Sequence, residues 1–454
     1  MTGYGLRVIS MLLTVLYTFL TLSTCSARVA TEEASPLYAQ NAVPLGQSGG
    51  VVTMNIFQPY GEISMQLQEA ADAFVAEHPG TQIRIHSVDG APQYQPALRA
   101  KLLGGEQVDL FHVFGYQDWQ ELREYALDLS DMGWIADADS ILLEPVSDSS
   151  GIYGVPYSLE GVGLIANRDI FEAANIPLAD IQTFEDLADA FQELRGQIDS
   201  GELEERFPEL RYVTEFPALD KTFVAKQLVD LFLTDAFATP QQTAQAKLVD
   251  FQHSESLESY VKLMARYSSS RADWEGLNAV SQTMQVESGL AGGRVAVIQQ
   301  NVNIWPRIYR VDPDLAGRLA LLPIPLDEAE ESSIYVGAPS YWAVNAQSSP
   351  ESAALAKEFL TWLYQSEKGE EILLDNFGIL SPYRESGEHT GVSLYTQLVG
   401  YLEADRIQPF LHSETPGGWA ADVFMANLRG YFASEELDWE KMMSENLAGW
   451  TSLR

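Results

Sequence analysis

The chain has 454 residues, 46% apolar and 20% charged, the make-up of a folded globular protein larger than one ordinary domain. Its formal net charge is −37, from 64 acidic against 27 basic residues. A surface of that sign repels phosphate backbones and anionic lipid, which argues against nucleic-acid partners, and it keeps an abundant protein soluble.

Near the N-terminus, Arg7 is followed by "VISMLLTVLYTFLTL", an apolar run that suits a signal-peptide core and is short for a membrane-spanning helix. No later segment is long and apolar enough to cross a bilayer, so the chain reads as exported. The single cysteine, Cys25, stands just beyond that run in "LSTCS", and no intramolecular disulfide can form. "LSTC" resembles the Leu-x-x-Cys box of bacterial lipoproteins, in which the cysteine becomes the lipidated first residue. Thr24 departs from the small residue usual there, and cleavage near Ala27 would instead discard Cys25 with the signal. Residues 1–25 are thus assigned to a signal peptide of lipoprotein type. The polar stretch 26–50, with "GQSGG", is a flexible linker.

From Val51 the pattern is regular. "VVTMNIF" reads as a strand, and "SMQLQEAADAFVAEH" has helical spacing of Met65, Leu67, Ala70, Ala71, Phe74 and Val75. "HPG" stops that helix. "TQIRIHSV" alternates like a strand, "PALRAKLLGG" reads as helix and "VDLFHVF" as strand. Strand, helix, strand, helix, strand implies a parallel sheet with helices on its faces. Ligands of such sheets lie outside the carboxyl ends of the strands, which here carry "QPYGE" and "GYQDW".

Next comes "GIYGVPYSLEGVGLIANRDIFEAANI". Its "GVGLIA", Gly161 to Ala166, formally fits a dinucleotide pattern. The glycines lie inside an apolar strand, however, and no helix opens on them, so the nucleotide reading is set aside. From Thr183 to about Met284 the chain is mostly helical. "GGRVAVIQQ" and "RLALLPIPL" are strands, with "NVNIWPRI" a loop or short helix between them. "GAPSYWAVN" reads as a buried strand, and helices "PESAALAKEFLTWLYQ", "EKGEEILLDNF", "GWAADVFMANLRGYF" and "DWEKMMSENLAGW" follow.

The six histidines are scattered, with neither H-x-x-x-H nor paired cysteine, so no metal site and no cofactor is indicated. There is no G-x-S-x-G elbow and no P-loop, and no catalytic residue is assigned. Carboxylates are so numerous that a glycosidase-like pair would be identified only by geometry. Aromatics are the stronger signal, with nine Trp and 20 Tyr. Tyr60, Tyr116, Trp119, Trp305, Trp342 and Trp419 stand beside polar residues at strand ends. Sugar sites combine such stacking faces with polar side chains that bond hydroxyls.

The order of these segments resembles that of bacterial extracellular solute-binding proteins of family 1, the maltose-binding-like receptors of ABC sugar importers. The stretches that carry the resemblance are "YGVPYSLEGVGLIANRDIFEAANI", "GLAGGRVAVIQQNVNIWPRI", "LALLPIPL", "GAPSYWAVNAQSSPESAALAKEFLTWLYQSEKG" and "PGGWAADVF". It implies an α/β, two-lobed periplasmic-binding-protein-like fold, each lobe a mainly parallel sheet flanked by helices, joined by a multi-strand hinge. The N-lobe would comprise 51–156 and 326–383, and the C-lobe 157–325 and 384–454. It further implies a monomer that captures a small solute, most often a mono- or oligosaccharide, and delivers it to ABC permease subunits without catalysing a reaction. Carried over residue by residue, the ligand-binding positions are Glu160, Trp419, Tyr60, Tyr116, Asn301, Asn303 and Trp305. Trp342 goes to the cleft side or hinge and Tyr341 to packing. Two other readings stay open, a receptor for a polyamine, amino-acid-like or phosphorylated-polyol solute, and a secreted glycoside-processing enzyme.

Overall fold

The computed structural model describes residues 50–270, 279–326, 332–383, 392–434 and 438–454. Cys25, with the assigned signal peptide and linker, lies outside them. In chain order the strands are β1 (Val52–Gln58), β2 (Thr81–Ser87), β3 (Leu110–Val113), the two-residue pieces β4 (Ser147–Asp148) and β5 (Gly151–Ile152), β6 (Val155–Pro156), β7 (Glu160–Asn167) and β8 (Tyr212–Thr214). β9 (Val295–Asn301), β10 (Leu319–Leu322), β11 (Ile334–Gly337), β12 (Tyr341–Val344) and β13 (Ile407–Pro409) complete the set.

The first sheet has the order β2-β1-β3-β12-β6. β1 is parallel to both β2 and β3, as the strand–helix alternation implies, and β12 runs antiparallel to β3 and β6. Helix Ser64–Glu77 buries Leu67, Ala70, Ala71 and Phe74, a single stripe at helical spacing. Met65, which shares the apolar pattern, points away and is 75% exposed. The helix ends at His78, whose ring stacks on Phe74 at 3.8 Å.

Helices cover both faces of this sheet. On one, Trp342 packs with Leu355, Phe359 and Leu363 of helix Pro350–Gln365; on the other, Tyr341 packs with Phe57, Tyr94 and Trp119. Adjacent residues of a strand face opposite sides, so the tandem aromatics enter two different cores.

The second sheet has the order β13-β11-β7-β9-β8, with β10 also pairing β7. It is mixed. β7 is antiparallel to β9, β10 and β11, while β8–β9 and β11–β13 are parallel. The glycines of "GVGLIA" sit mid-strand for packing: a Cβ on Gly163 would come within 2.5 Å of the Leu322 carbonyl. The helical middle forms as its pattern implies, with Phe184–Ser200 opened by a capping box between Thr183 and Asp186.

Among the described residues, three segments link the sheets. Residues 157–159 join β6 to β7, residues 338–340 join β11 to β12, and Leu159 bridges to Leu380 on a third. One boundary differs from the sequence reading. The return to the first sheet falls after Gly337 and not at residue 326, because β11 pairs with β7. The short strands β8, β11 and β13, of three or four residues, are too brief to show a periodicity.

Candidate ligand cleft

Topology brings one end of each sheet to the same place. Strands β1, β3 and β6 run in one direction and finish at Gln58, Val113 and Pro156, beside the start of β12 at Tyr341. In the second sheet β9, β11 and β13 finish at Asn301, Gly337 and Pro409, beside the start of β7 at Glu160. The linking segments are only three residues long between β6 and β7 and between β11 and β12, so these ends face a common space. Strand ends leave side chains free of the ladder, which is why open α/β sheets place ligands there.

On the first-sheet side the half-buried Tyr60 stacks on Tyr157, with ring centroids 4.9 Å apart and planes 17° from parallel. Its hydroxyl lies 2.7 Å from Ser340 Oγ, and Ser340 Oγ lies 2.8 Å from His112 Nδ1. Burial pushes the Tyr60 phenol well above its ordinary range, so it stays protonated. Burial also holds His112 well below the usual imidazole range, and it is neutral.

On the second-sheet side stands Glu160, the first residue of β7. The Asn301 amide donates to one carboxylate oxygen at 2.7 Å and the Asn303 amide donates to the other at 2.9 Å. The Asn301 side chain in turn accepts the Asn303 backbone N–H at 3.1 Å, which fixes the pair as a unit. Burial raises the Glu160 carboxyl above its ordinary value, an effect opposed by nearby Lys226, the two amides and His412. Tyr60 and Tyr157 both feel the Glu160 charge, so the aromatic pair and the carboxylate lie within electrostatic reach.

The structure brings Tyr60, Glu160, Asn301 and Asn303 together, while Tyr116 and Trp305 open the short helices Tyr116–Glu121 and Trp305–Val311. The Tyr116 backbone N–H donates to Glu414 at 2.8 Å, and Trp305 is half-buried with its ring edge-on to Tyr395 at 6.1 Å. Two residues are placed elsewhere. Trp342 is 1% exposed, with its indole N–H donating to the Tyr364 hydroxyl at 3.2 Å. It backs His112 from behind and offers no face to the cleft, because helices cover both sides of its sheet.

Trp419 is 0% exposed, donates to the Asn446 carbonyl at 2.9 Å and meets Trp450 edge-on at 5.0 Å. A π-helical turn, Trp419–Phe424, directs it into the second-lobe core. Sequence reasoning missed Tyr157, His112, Ser340, Lys226, His412 and Glu414. Tyr157 stands three residues before Glu160 in the same motif, which is a usable signal; the others meet through contacts remote in sequence.

Among concavities outside this cleft, one of about 710 Å³ is lined by Leu248, Val249 and Leu447 and another of about 460 Å³ by Arg195, Leu203 and Arg211. The first has Asp250 but no aromatic face; the second has Phe207 and Tyr212 with Asp199 and Glu204, but it lies where β8 and β9 begin, at the end of the second sheet remote from Asn301.

Comparison with known proteins agrees with this fold. Among solved structures, a putative binding protein of Bacillus subtilis in an open conformation superposes with TM-score 0.68 at 19% identity, over 89% of this chain and 98% of its own. A sugar transporter protein of Bacillus licheniformis in complex with stachyose gives 0.62 at 19% identity, over 89% and 100%. Maltose-bound MalE3 of T. maritima gives 0.63 at 13% identity, also over 89% and 100%. No curated protein matches the chain. The bacterial extracellular solute-binding protein family matches residues 61–370. With that match over most of its length, and with two α/β lobes facing one cleft, the chain belongs to the bacterial extracellular solute-binding proteins.

Proposed function

We propose that the chain is the receptor of an ABC importer for a neutral carbohydrate, held between the lobes and passed to permease subunits without covalent change. The observation that carries this reading is the Tyr60–Tyr157 stack within electrostatic reach of the Glu160–Asn301–Asn303 unit. A sugar has an apolar C–H face for an aromatic platform and hydroxyl protons for a carboxylate. The stachyose and maltose complexes among the structural neighbours support that class of solute. The cationic-solute reading draws only on the acidic composition, and at Glu160 the neighbouring Lys226 already counters the charge.

A thermal-shift screen over maltose, raffinose, stachyose, polyols, spermidine and amino acids tests it, since a ligand that binds only the folded state raises the melting temperature. At least one sugar should shift the midpoint and be recovered unchanged; a response to spermidine alone, or hydrolysis of the sugar, would overturn the reading.

We also propose export, with lipidation at Cys25 as the anchor. Cys25→Ser should move the protein from the membrane fraction to the soluble one. A mature chain starting beyond residue 25 and free of lipid would exclude the anchor. Stable anchoring needs more than one acyl chain, so the lipid should be multiple.

A further inference from the structure

Behind the aromatic face of the cleft runs a hydrogen-bonded chain, His112 Nδ1 to Ser340 Oγ at 2.8 Å and Ser340 Oγ to the Tyr60 hydroxyl at 2.7 Å. His112 and Ser340 are both 0% exposed. The imidazole is held between the Trp342 ring at 3.8 Å and the rings of Tyr60 and Tyr157 at 5.3 and 5.4 Å. Two hydroxyls in series can carry their protons in either of two senses. In the inward sense Tyr60 donates to Ser340 and Ser340 to His112 Nδ1, leaving Tyr60 only lone pairs for a ligand. In the outward sense every donor is reversed, and the Tyr60 proton is turned away from Ser340, free for another acceptor.

His112 selects between them. Its Nε2 is buried and has no hydrogen-bond partner among the described residues. The inward sense puts the only ring proton of this neutral imidazole on Nε2, as an orphaned buried N–H, which folded proteins rarely tolerate. The outward sense leaves at Nε2 a bare lone pair, the less costly of the two vacancies.

We propose that His112 is held as the Nδ1–H tautomer and sets the sense of the chain: Nδ1–H donates to Ser340, Ser340 donates to the Tyr60 oxygen, and the Tyr60 O–H is offered to an acceptor oxygen of the bound solute. His112 is then a positioning residue that acts on the ligand through two hydroxyls. The consequence for specificity rests on the cleft assignment made above. Ionised Glu160 only accepts and outward Tyr60 donates, so the solute must present a donor to one and an acceptor to the other. A polyhydroxylated neutral molecule does both at once. A polyamine has donors only in its protonated form and meets the Tyr60 proton with another proton.

The imidazole nitrogen spectrum of the ligand-free protein, labelled with ¹⁵N, reads the tautomer directly. Ser340→Ala identifies the His112 signals among the six histidines by perturbing its Nδ1. A protonated Nδ1 with a bare Nε2 between pH 6 and 8 is the expected result, and a protonated Nε2 overturns the proposal. Because no ligand is needed, this outcome stands even if the carbohydrate reading fails.

The second arm is calorimetric titration of wild type and Tyr60→Phe, which keeps the ring on Tyr157, with maltose, raffinose, stachyose and spermidine. Loss of one neutral hydrogen bond should weaken the bound sugar by about tenfold. Unchanged sugar affinity overturns the donor role, and so does spermidine bound in preference to every sugar. If none of the four binds wild type, the carbohydrate reading loses its support and the nitrogen spectrum alone decides the direction of the chain.

Discussion

At the scale of single residues, the site separates side chains that serve the cleft from those that hold the lobes together. On the function proposed above, Glu160 is of the first kind. Burial makes its ionised form costly, so Glu160→Gln removes a buried charge and should leave the unliganded fold near its original stability. Affinity for a sugar should fall by roughly tenfold or more, because a carboxylate accepts a stronger hydrogen bond than an amide. Trp419 belongs to the second kind. Trp419→Ala empties a fully buried site and strands the Asn446 carbonyl, a change that costs about 3–5 kcal/mol in comparable cores. Urea unfolding and calorimetric titration of the pair should therefore give opposite patterns. A Trp419→Ala protein of normal stability and lost affinity would return that residue to the cleft.

At the scale of elements, the short helix Tyr116–Glu121 of the first lobe starts on a carboxylate from the second. The backbone N–H groups of Tyr116 and Gln117 each donate to Glu414 at 2.8 Å, and Arg454 donates to the Gln117 amide oxygen at 3.0 Å. Gly115 permits the approach: its φ is 106°, and a Cβ there would come within 2.2 Å of a Glu414 oxygen. Burial lifts the Glu414 carboxyl from its ordinary 4.5 to about 7, against the opposing pull of the two amides, Ser413 and His412.

The sign of the resulting pH effect follows from proton counts. Between those two values the folded chain binds more protons than the unfolded one, so this contribution is complete below about pH 4.5 and is lost as pH rises to about 7. Its size is at most about 3 kcal/mol. Repulsion among the many surface carboxylates acts in the same direction, but salt screens it far more than a buried group. Chemical unfolding at pH 5.5 and 8 in high salt should thus show a loss of stability that Glu414→Gln reduces. An identical loss in the variant would mean that Glu414 does not titrate in this window.

At the scale of the whole molecule, the lobes are joined through the chain at 157–159 and 338–340 and by the Leu159–Leu380 bridge, and they also meet where Glu414 and Arg454 hold the helix Tyr116–Glu121. Such a joint favours hinge closure, in which a solute that bonds to both lobes stabilises the shut form. Small-angle scattering should show a smaller radius of gyration with a saturating sugar than without. An unchanged radius for a sugar shown by calorimetry to bind would count against closure.

The sequence by itself determined the elements and their order. Stripes such as Leu67, Ala70 and Phe74, the Thr183 cap and the apolar run Gly161 to Ala166 are local patterns, set by 3.6- or 2-residue periods within one stretch of chain. It also singled out Glu160, Asn301, Asn303 and Tyr60 at strand ends and in the family's motifs, residues that the structure then places near one another. Tertiary structure alone decided which way the large aromatics face. Trp342 and Trp419 carry the same signature as a cleft aromatic, a large ring beside polar residues. They are buried because helices pack on both faces of one sheet and because Trp419, in a π-helical turn, packs into the core of the second lobe.

The pairing of β11 with β7, the capture of a first-lobe helix by Glu414 and the chain from His112 through Ser340 to Tyr60 are likewise invisible in sequence. His112 and Ser340 stand 228 residues apart, and a hydrogen bond across that distance depends on how two lobes fold around three linking segments. Local periodicity carries no information about it.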